Sequence, residues 1–440
     1  MSINMNSYER KLFLKKSMGI LAGAFMASLP AHSLFSKEAE DAEQEGEFTH
    51  SSPVKSIIFI NMEGGMSHVD TLDPKANSSF SKVASTIPGI NVLEPFAKTA
   101  KQFKHLGIVR STWSEDGDHG FGQYLLNTGY RMPEGMGFPD IPHFGSVFAY
   151  SKKRNEKGSY FPSYVTMGSR SGRIGNSGFL GVPYAGFHIG NLDNPINHLV
   201  PSSGKYKDER LVRRKDILEM MNSEFGLRNN SPQLKLWSEM VKAADEFRNS
   251  SRLASFDLTK ESEATKARYG TSWQGKSLLM AKRLAEKEVP FIQISIGGWD
   301  THNNNKAQIA KIMSETDQGI AALIEDLAAS GLLSQTVFFL STEFGRTPDV
   351  GSRDGRDHHP RVWTSLLGGG PFEKGFVLGE SDEKGERPAK SSEAYHLRDL
   401  ISSIHYASGV DPDASLPNSF GRPFPLSPRS AKVIEDVISL

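Results

Sequence analysis

Among the 13 histidines, His302 in Asp300-Thr301-His302 and His358 and His359 in Asp357-His358-His359 sit in polar loops with acidic neighbours. Carboxylate and imidazole together, without thiolate, suit Zn²⁺ or Mn²⁺, and a larger carboxylate share admits Mg²⁺ or Ca²⁺. Two arginines bracket these groups. Arg346 follows Glu343-Phe344-Gly345, and Arg356 directly precedes Asp357. A planar guanidinium grips an oxyanion through two parallel bonds. The same residues also fit a plainer pattern, in which His–carboxylate bonds hold loops together and the arginines pair with Asp349 or Asp354.

The elements that must position these groups follow from periodicity. Leu278, Ala281, Leu284 and Ala285 have helical spacing within Trp273–Val289. Pro290 stops that helix, because it lacks an N–H and disfavours a helical predecessor. Phe291–Ile296 is then a short strand running into Gly297-Gly298-Trp299-Asp300. A second helix carries Ile309, Ile312, Ile320, Leu323 and Leu327 on one stripe and closes at Gly331. Thr336–Ser341 is the next strand and empties toward Glu343. Ser56–Ile60 is a continuous apolar run suited to the middle of a parallel sheet, and it leads to Glu63-Gly64-Gly65-Met66-Ser67-His68-Val69-Asp70. Two glycines there allow close backbone approach to a bound group. Ser67 is not in a nucleophile elbow, since Val69 stands two residues after it. In an open parallel sheet, ligands bind beyond the carboxyl ends of strands. The candidate residues collect at that edge, which makes the domain α/β.

Elsewhere Leu106–Arg110 reads as a short strand and Gly120–Thr128 as a helix. Residues 131–205 are rich in Gly, Pro and Ser and read as irregular surface structure; Gly172, Gly175 and Gly178 lack the strand-then-helix context of a dinucleotide fingerprint. Charged helices follow at Glu209–Phe225 and Leu234–Phe247, so 150–270 reads as an insertion or cap. Val362–Leu367 is a further strand and Leu397–Ser408 a last helix. Charge is balanced at 51 basic and 51 acidic residues, which gives no pull toward nucleic acid. The absence of cysteine excludes disulfides, thiolate metal sites and a cysteine nucleophile.

Residues 1–33 have the order of an export signal. Arg10-Lys11-Leu12-Phe13-Leu14-Lys15 is similar to the twin-arginine motif, an apolar run spans Met18 to Leu29, and Ala31-His32-Ser33 is a small-x-small cleavage site. That run is too short for a permanent membrane span, which needs about 20 residues. Residues 34–52 read as a disordered acidic linker, and 53–440 as the mature domain. The expected partners are the export machinery and an ester substrate, and the expected location is periplasmic or extracellular.

Several stretches together carry a resemblance: Gly64 to Lys75, Gly298-Trp299-Asp300-Thr301-His302, Glu343 to Pro348, and Gly355 to Pro360. Weaker echoes lie at Thr128-Gly129, Tyr269-Gly270 and Gly368-Gly369-Gly370. On these the chain resembles the DUF1501 family, exported bacterial proteins of undefined activity placed in the alkaline phosphatase/sulfatase superfamily. The resemblance implies an alkaline-phosphatase-like α/β fold and divalent metals held by Asp and His at strand ends. Carried over residue by residue, Asp300 and His302 bind one metal, His358 or His359 returns to it, and Glu343 and Glu63 are the remaining carboxylates. Phe344 stands where a histidine is usual. Counting back from Thr128-Gly129 places His119 where a Ser, Thr or modified Cys nucleophile is expected, and no Cys/Ser-x-Pro-x-Arg motif exists. The implied function is an exported metal-dependent hydrolase of phosphate or sulfate esters, including those of extracellular glycans. His119, Arg346 and Asp357 are the expected catalytic residues; Ser67, His68, Asp70 and Arg356 are the expected substrate contacts. The alternative is a non-catalytic glycan- or partner-binding protein that keeps the fold and a structural metal.

Overall fold

A computed structural model describes residues 49–133, 140–152, 160–169, 176–196, 213–214, 216–221, 232–416 and 423–440. The export signal, most of the acidic linker, Gly172, Gly175 and much of the expected helix at 209–225 lie outside the described residues. The last residues of the linker are tied to the domain: His50 N donates to the Gly409 carbonyl at 3.0 Å, and Ser52 Oγ to the Ala407 carbonyl at 2.7 Å.

The strands used below are β1 (Ser56–Asn61), β2 (Leu106–Trp113), β3 (Tyr164–Gly168), β4 (Phe187–Ile189), β5 (Phe291–Ser295), β6 (Thr336–Ser341), β7 (Gly345–Arg346), β8 (His358–His359), β9 (Trp363–Gly369), β10 (Val377–Leu378) and β11 (Tyr395–His396). The helices are α1 (His119–Thr128), α2 (Phe144–Ser151), α3 (Pro232–Asn249), α4 (Glu263–Tyr269), α5 (Trp273–Ala285), α6 (Asn305–Ala329) and α7 (Leu397–Ala407).

Nine strands form one sheet in the order β10-β2-β9-β6-β1-β5-β3-β4, with β11 also paired to β2. Pairing is parallel except for β9, which is antiparallel to both β2 and β6. β1 lies at the centre and is buried along its whole length. Its side chains alternate between faces, as a pleated strand requires. Ile58 and Ile60 join a core with α5 and α6, while Ile57 and Phe59 join a second core with α1, α2 and α7. β6 does the same, with Phe338 and Leu340 on the first face and Val337 and Phe339 on the second. The result is the expected α/β arrangement, a mostly parallel sheet with helices on both faces.

Residues 150–270 depart from the expected insertion. β3 and β4 fall inside that range and extend the central sheet, with Tyr164–Gly168 in register with Phe291–Ser295. α3 is fastened to this edge through aromatic rings: Phe247 meets Phe161 and Phe187 edge-on, each at 5.4 Å between centroids. Such pairs add about 0.5–1.5 kcal/mol each beyond their buried area. α2 likewise occupies sequence that reads as irregular.

Candidate active site

β5, β1 and β6 are neighbours, so their carboxyl ends bring Asp300, Glu63 and Glu343 to one edge. The loops lie unusually close. Gly64 has φ +117°, and a Cβ there would sit 2.5 Å from the Asp300 nitrogen; Gly65, at φ +85°, faces the Phe344 ring and Arg346 Nε. Only glycine fits both demands. His119 opens α1, whose N-terminus is capped by Asp118 Oδ1 accepting from Gly120 N at 2.8 Å and Phe121 N at 3.2 Å. β7 and β8 form a two-residue hairpin in which His358 faces Arg346 and His359 faces Gly345. Alternation sends His358 and His359 to opposite sides.

One oxygen gathers the site. Asp300 Oδ1 lies 2.5 Å from Arg346 Nη2, 3.1 Å from His302 Nε2, 3.3 Å from His119 Nε2 and 3.3 Å from His358 Nε2. Each imidazole is held from behind at Nδ1. His119 Nδ1 donates to Glu343 Oε1 at 2.7 Å, His302 Nδ1 to Asp357 Oδ1 at 2.9 Å, and His358 Nδ1 to the Gly117 carbonyl at 2.6 Å. A carbonyl or carboxylate accepts only, so in each neutral ring the proton is at Nδ1 and the Nε2 lone pair faces the shared point. Three lone pairs and an anionic oxygen turned toward one another repel unless a cation or proton lies among them. Arg346 and the Glu343 contact hold the Asp300–His119 electrostatics: burial pushes the Asp300 carboxyl upward, but the Arg346 bond and charge bring it down to about 2. The Glu343 bond raises the His119 pKa against the opposing effect of burial.

Glu343 itself is fully buried and acts as a support. Its oxygens also accept from Gly64 N at 2.9 and 3.2 Å and from Thr342 Oγ1 at 3.0 Å. Arg346 is fully buried too: Nε donates to the Gly65 carbonyl at 3.0 Å, Nη1 to the Arg356 carbonyl at 2.9 Å, and Nη2 to the Gly64 carbonyl and Asp300. The fork expected to grip an oxyanion is thus engaged by the protein's own carbonyls and by Asp300.

The expected substrate contacts are also relocated. Arg356 and Asp70 form a fully buried two-pronged pair at 2.6 and 3.0 Å, and Asp70 accepts further from Ser67 Oγ, Ser79 N and Asn305 Nδ2. Ser67 is thereby enclosed in a knot that fixes the glycine loop. His68 is buried, its Nε2 bonded to the Gly385 carbonyl at 2.8 Å, and its ring stacks on His359, whose Nε2 bonds the Glu386 carbonyl at 2.7 Å. His359 thus pins the 379–392 loop and leaves His358 as the histidine at the site. Asp357 is largely exposed behind His302.

A cleft of about 650 Å³ opens beside this cluster, lined by Glu63, His119, Gln123, Asn127, Ser169, Asp300 and Glu343 among others. Gln123, Asn127 and Ser169 were not singled out from sequence. For Gln123 and Asn127 a signal existed, since they lie four and eight residues beyond His119 on one helix, hence on its face. Ser169, whose Oγ donates to Glu63 Oε1 at 3.2 Å, follows a strand that periodicity did not reveal.

Comparison with curated protein sequences finds no match. Among solved structures the chain is similar to Ps i-CgsB (TM-score 0.39, 10% identity, 82% of this chain and 73% of that one). It is also similar to the lipoteichoic acid synthase LtaP from Listeria monocytogenes (TM-score 0.39, 9% identity, 87% and 76%). A third is the alkaline phosphatase from the Antarctic bacterium TAB5 (TM-score 0.37, 11% identity, 82% and 99%). Residues 54–438 match the family described as "Protein of unknown function (DUF1501)", and the chain belongs to that family.

Proposed function

We propose that the protein is an exported metal-dependent hydrolase of phosphate or sulfate esters, with extracellular glycan esters within its range. The observation that carries this reading is the convergence of His119 Nε2, His358 Nε2 and Asp300 Oδ1, all within 4.8 Å of one another, with both Nδ1 atoms engaged from behind. Two ligands about 2.1 Å from a tetrahedral ion lie about 3.4 Å apart. The carboxylate oxygen is 3.3 Å from each of these two nitrogens, which meets two of the three separations, and imidazole with carboxylate is a donor set that Zn²⁺ or Mn²⁺ takes. Glu343 and the Gly117 carbonyl are the outer partners that fix ring orientation and tautomer.

Charge supports the same reading. Among the described residues, the cleft lining carries Glu63, Asp300 and Glu343 and no Lys or Arg. An anionic ester enters such a cleft only if a cation offsets the carboxylates.

When bound, the cation would supply positive charge at the ester and a water of lowered pKa. The chain's residues supply the rest. Asp300, ionised at neutral pH, and the two imidazoles present their donor atoms in one place. Arg346 anchors Asp300 from below and acts as a positioning residue. His302, backed at Nδ1 by Asp357 and partly exposed, presents its Nε2 lone pair at the cleft, the position of a general base toward an attacking water.

The binding-protein reading has one observation in its favour: Arg346 is fully engaged, and no hydroxyl stands at the start of α1. Metal analysis of the mature chain with a screen of aryl phosphates and sulfates separates the two. His358→Ala is expected to lose metal, and His302→Ala to keep metal while losing most turnover. Metal without turnover on any ester favours the binding protein. Unchanged metal content in His358→Ala would overturn the donor set.

A further inference from the structure

α1 presents a second polar group to the cleft, one turn beyond His119. Gln123 is 8% exposed, and its Nε2 has no hydrogen-bond partner. A chain of bonds sets the orientation of Asn127, and through it favours one orientation of the Gln123 amide. Gly145 N–H donates to His143 Nδ1 at 2.8 Å, so the neutral His143 ring carries its proton at Nε2. That Nε2 donates to Asn127 Oδ1 at 2.9 Å. Asn127 must then present its amide nitrogen to Gln123, and it does so twice, to the backbone carbonyl at 2.7 Å and to Oε1 at 3.3 Å. Asn61 Nδ2 donates to the same Oε1 at 3.0 Å. In this orientation Oε1 accepts from both amides and the remaining NH₂ is a donor with no acceptor, while Asn61 Oδ1 is likewise unpartnered. Burial holds the His143 pKa down to about 3, which keeps that ring neutral and the chain in one direction.

An unmet donor this deeply buried is destabilising, and Asn61 and Asn127, the latter oriented by His143, hold Oε1 on the other side of the amide. Residues four apart on a helix have Cβ atoms about 5–6 Å apart, so an oxygen bound at Gln123 lies next to the group gathered at His119 and Asp300. We propose that Gln123 is the preorganised donor for a non-bridging oxygen of a tetrahedral oxyanion, phosphate or sulfate, in this cleft. This inference rests on the hydrolase reading and adds a specificity residue to it. Its companion in the cleft wall, Glu63 Oε2, is a buried acceptor without a partner. The two together present the mixed donor and acceptor pattern that a hydroxylated leaving group would complement.

The test uses the mature metal-loaded protein, with inorganic phosphate and inorganic sulfate as probes in calorimetry. Gln123→Leu removes the donor, Gln123→Met keeps the length, and Asn127→Leu releases the amide from its orientation. The expected result is a weakening of anion binding by roughly 10- to 100-fold in each, with metal content unchanged. The double variant at 123 and 127 is expected to be no weaker than either single one, because both remove the same contact. If Gln123→Leu fails to fold, Gln123→Met carries the test alone. Anion affinity within twofold of the parent protein in a folded, metal-loaded variant overturns the proposal while leaving the hydrolase reading intact. A parent protein that binds metal but neither anion, and hydrolyses no ester, overturns both.

Discussion

Arg346 Nη2 meets Asp300 Oδ1 at 2.5 Å, the guanidinium wholly enclosed and the carboxylate half exposed. The arginine is thus a strut beneath the carboxylate, with three backbone carbonyls, Gly64, Gly65 and Arg356, as its other acceptors. Arg346→Lys keeps the charge but cannot reach all four acceptors from one ammonium. Each buried carbonyl left without a donor costs about 1–3 kcal/mol. The variant is expected to lose about 2–5 kcal/mol of stability, read as a lower urea midpoint, together with weaker metal binding. A fully stable variant with only a kcat loss would restore the arginine as an oxyanion clamp.

Asp70 and Arg356, unlike Asp300 and Arg346, form a pair buried on both sides, and neither lines the cleft. Removing one partner of such a pair leaves an uncompensated charge and costs about 3–5 kcal/mol. Arg356→Met and Asp70→Asn should each lower the thermal midpoint by many degrees. Metal stoichiometry per folded molecule should stay the same. A loss of metal or anion binding at unchanged stability would instead place this pair in the site.

The buried His68 ring gives the protein an acid limit. Burial is the largest influence and brings its pKa down to about 4, with Asp73 and the Gly385 carbonyl pulling upward and His359 and Lys75 pulling further down. The unfolded chain, with an ordinary pKa near 6.5, takes up the proton first as pH falls. Stability is therefore intact above about pH 6.5 and is lost between there and pH 4, by about 3 kcal/mol for this group. Urea midpoints measured across that range should fall less steeply in His68→Gln, whose amide can still donate to Gly385. Parallel profiles for the two proteins would show that His68 is not the sensor.

Export is tested at the N-terminus. With Arg10 and Lys11 both replaced by glutamine, unprocessed precursor is expected to accumulate inside the cell, visible as the higher mass on a blot. Normal maturation of that variant would remove the twin-arginine route.

How much was legible in advance differs by element. β1, β5 and β6 were readable because central parallel strands are apolar on both faces, and α5 and α6 because their stripes repeat with helical period. Asp300, His302 and His358 could be placed near one another because each follows such a strand or lies shortly beyond one. β3 and β4 were not readable. Tyr164-Val-Thr-Met-Gly is too short to stand out from its Gly- and Pro-rich surroundings, and its strand character comes from pairing with β5.

The sequence by itself determined the chemistry on offer: an α/β sheet, carboxylates and imidazoles without thiol, and the family to which the chain belongs. Tertiary structure decided which of those groups act together. Arg346 and Arg356 are the same residue type ten positions apart, yet one props Asp300 at the cleft and the other is sealed against Asp70. His358 and His359 are adjacent, yet the pleat of β8 turns one to the site and the other to a structural loop. Helical spacing from His119 places Gln123 on the same face, but whether its amide serves as a directed donor depends on the groups packed around it. Those outcomes depend on contacts between residues dozens to hundreds of positions apart, and no local pattern records them.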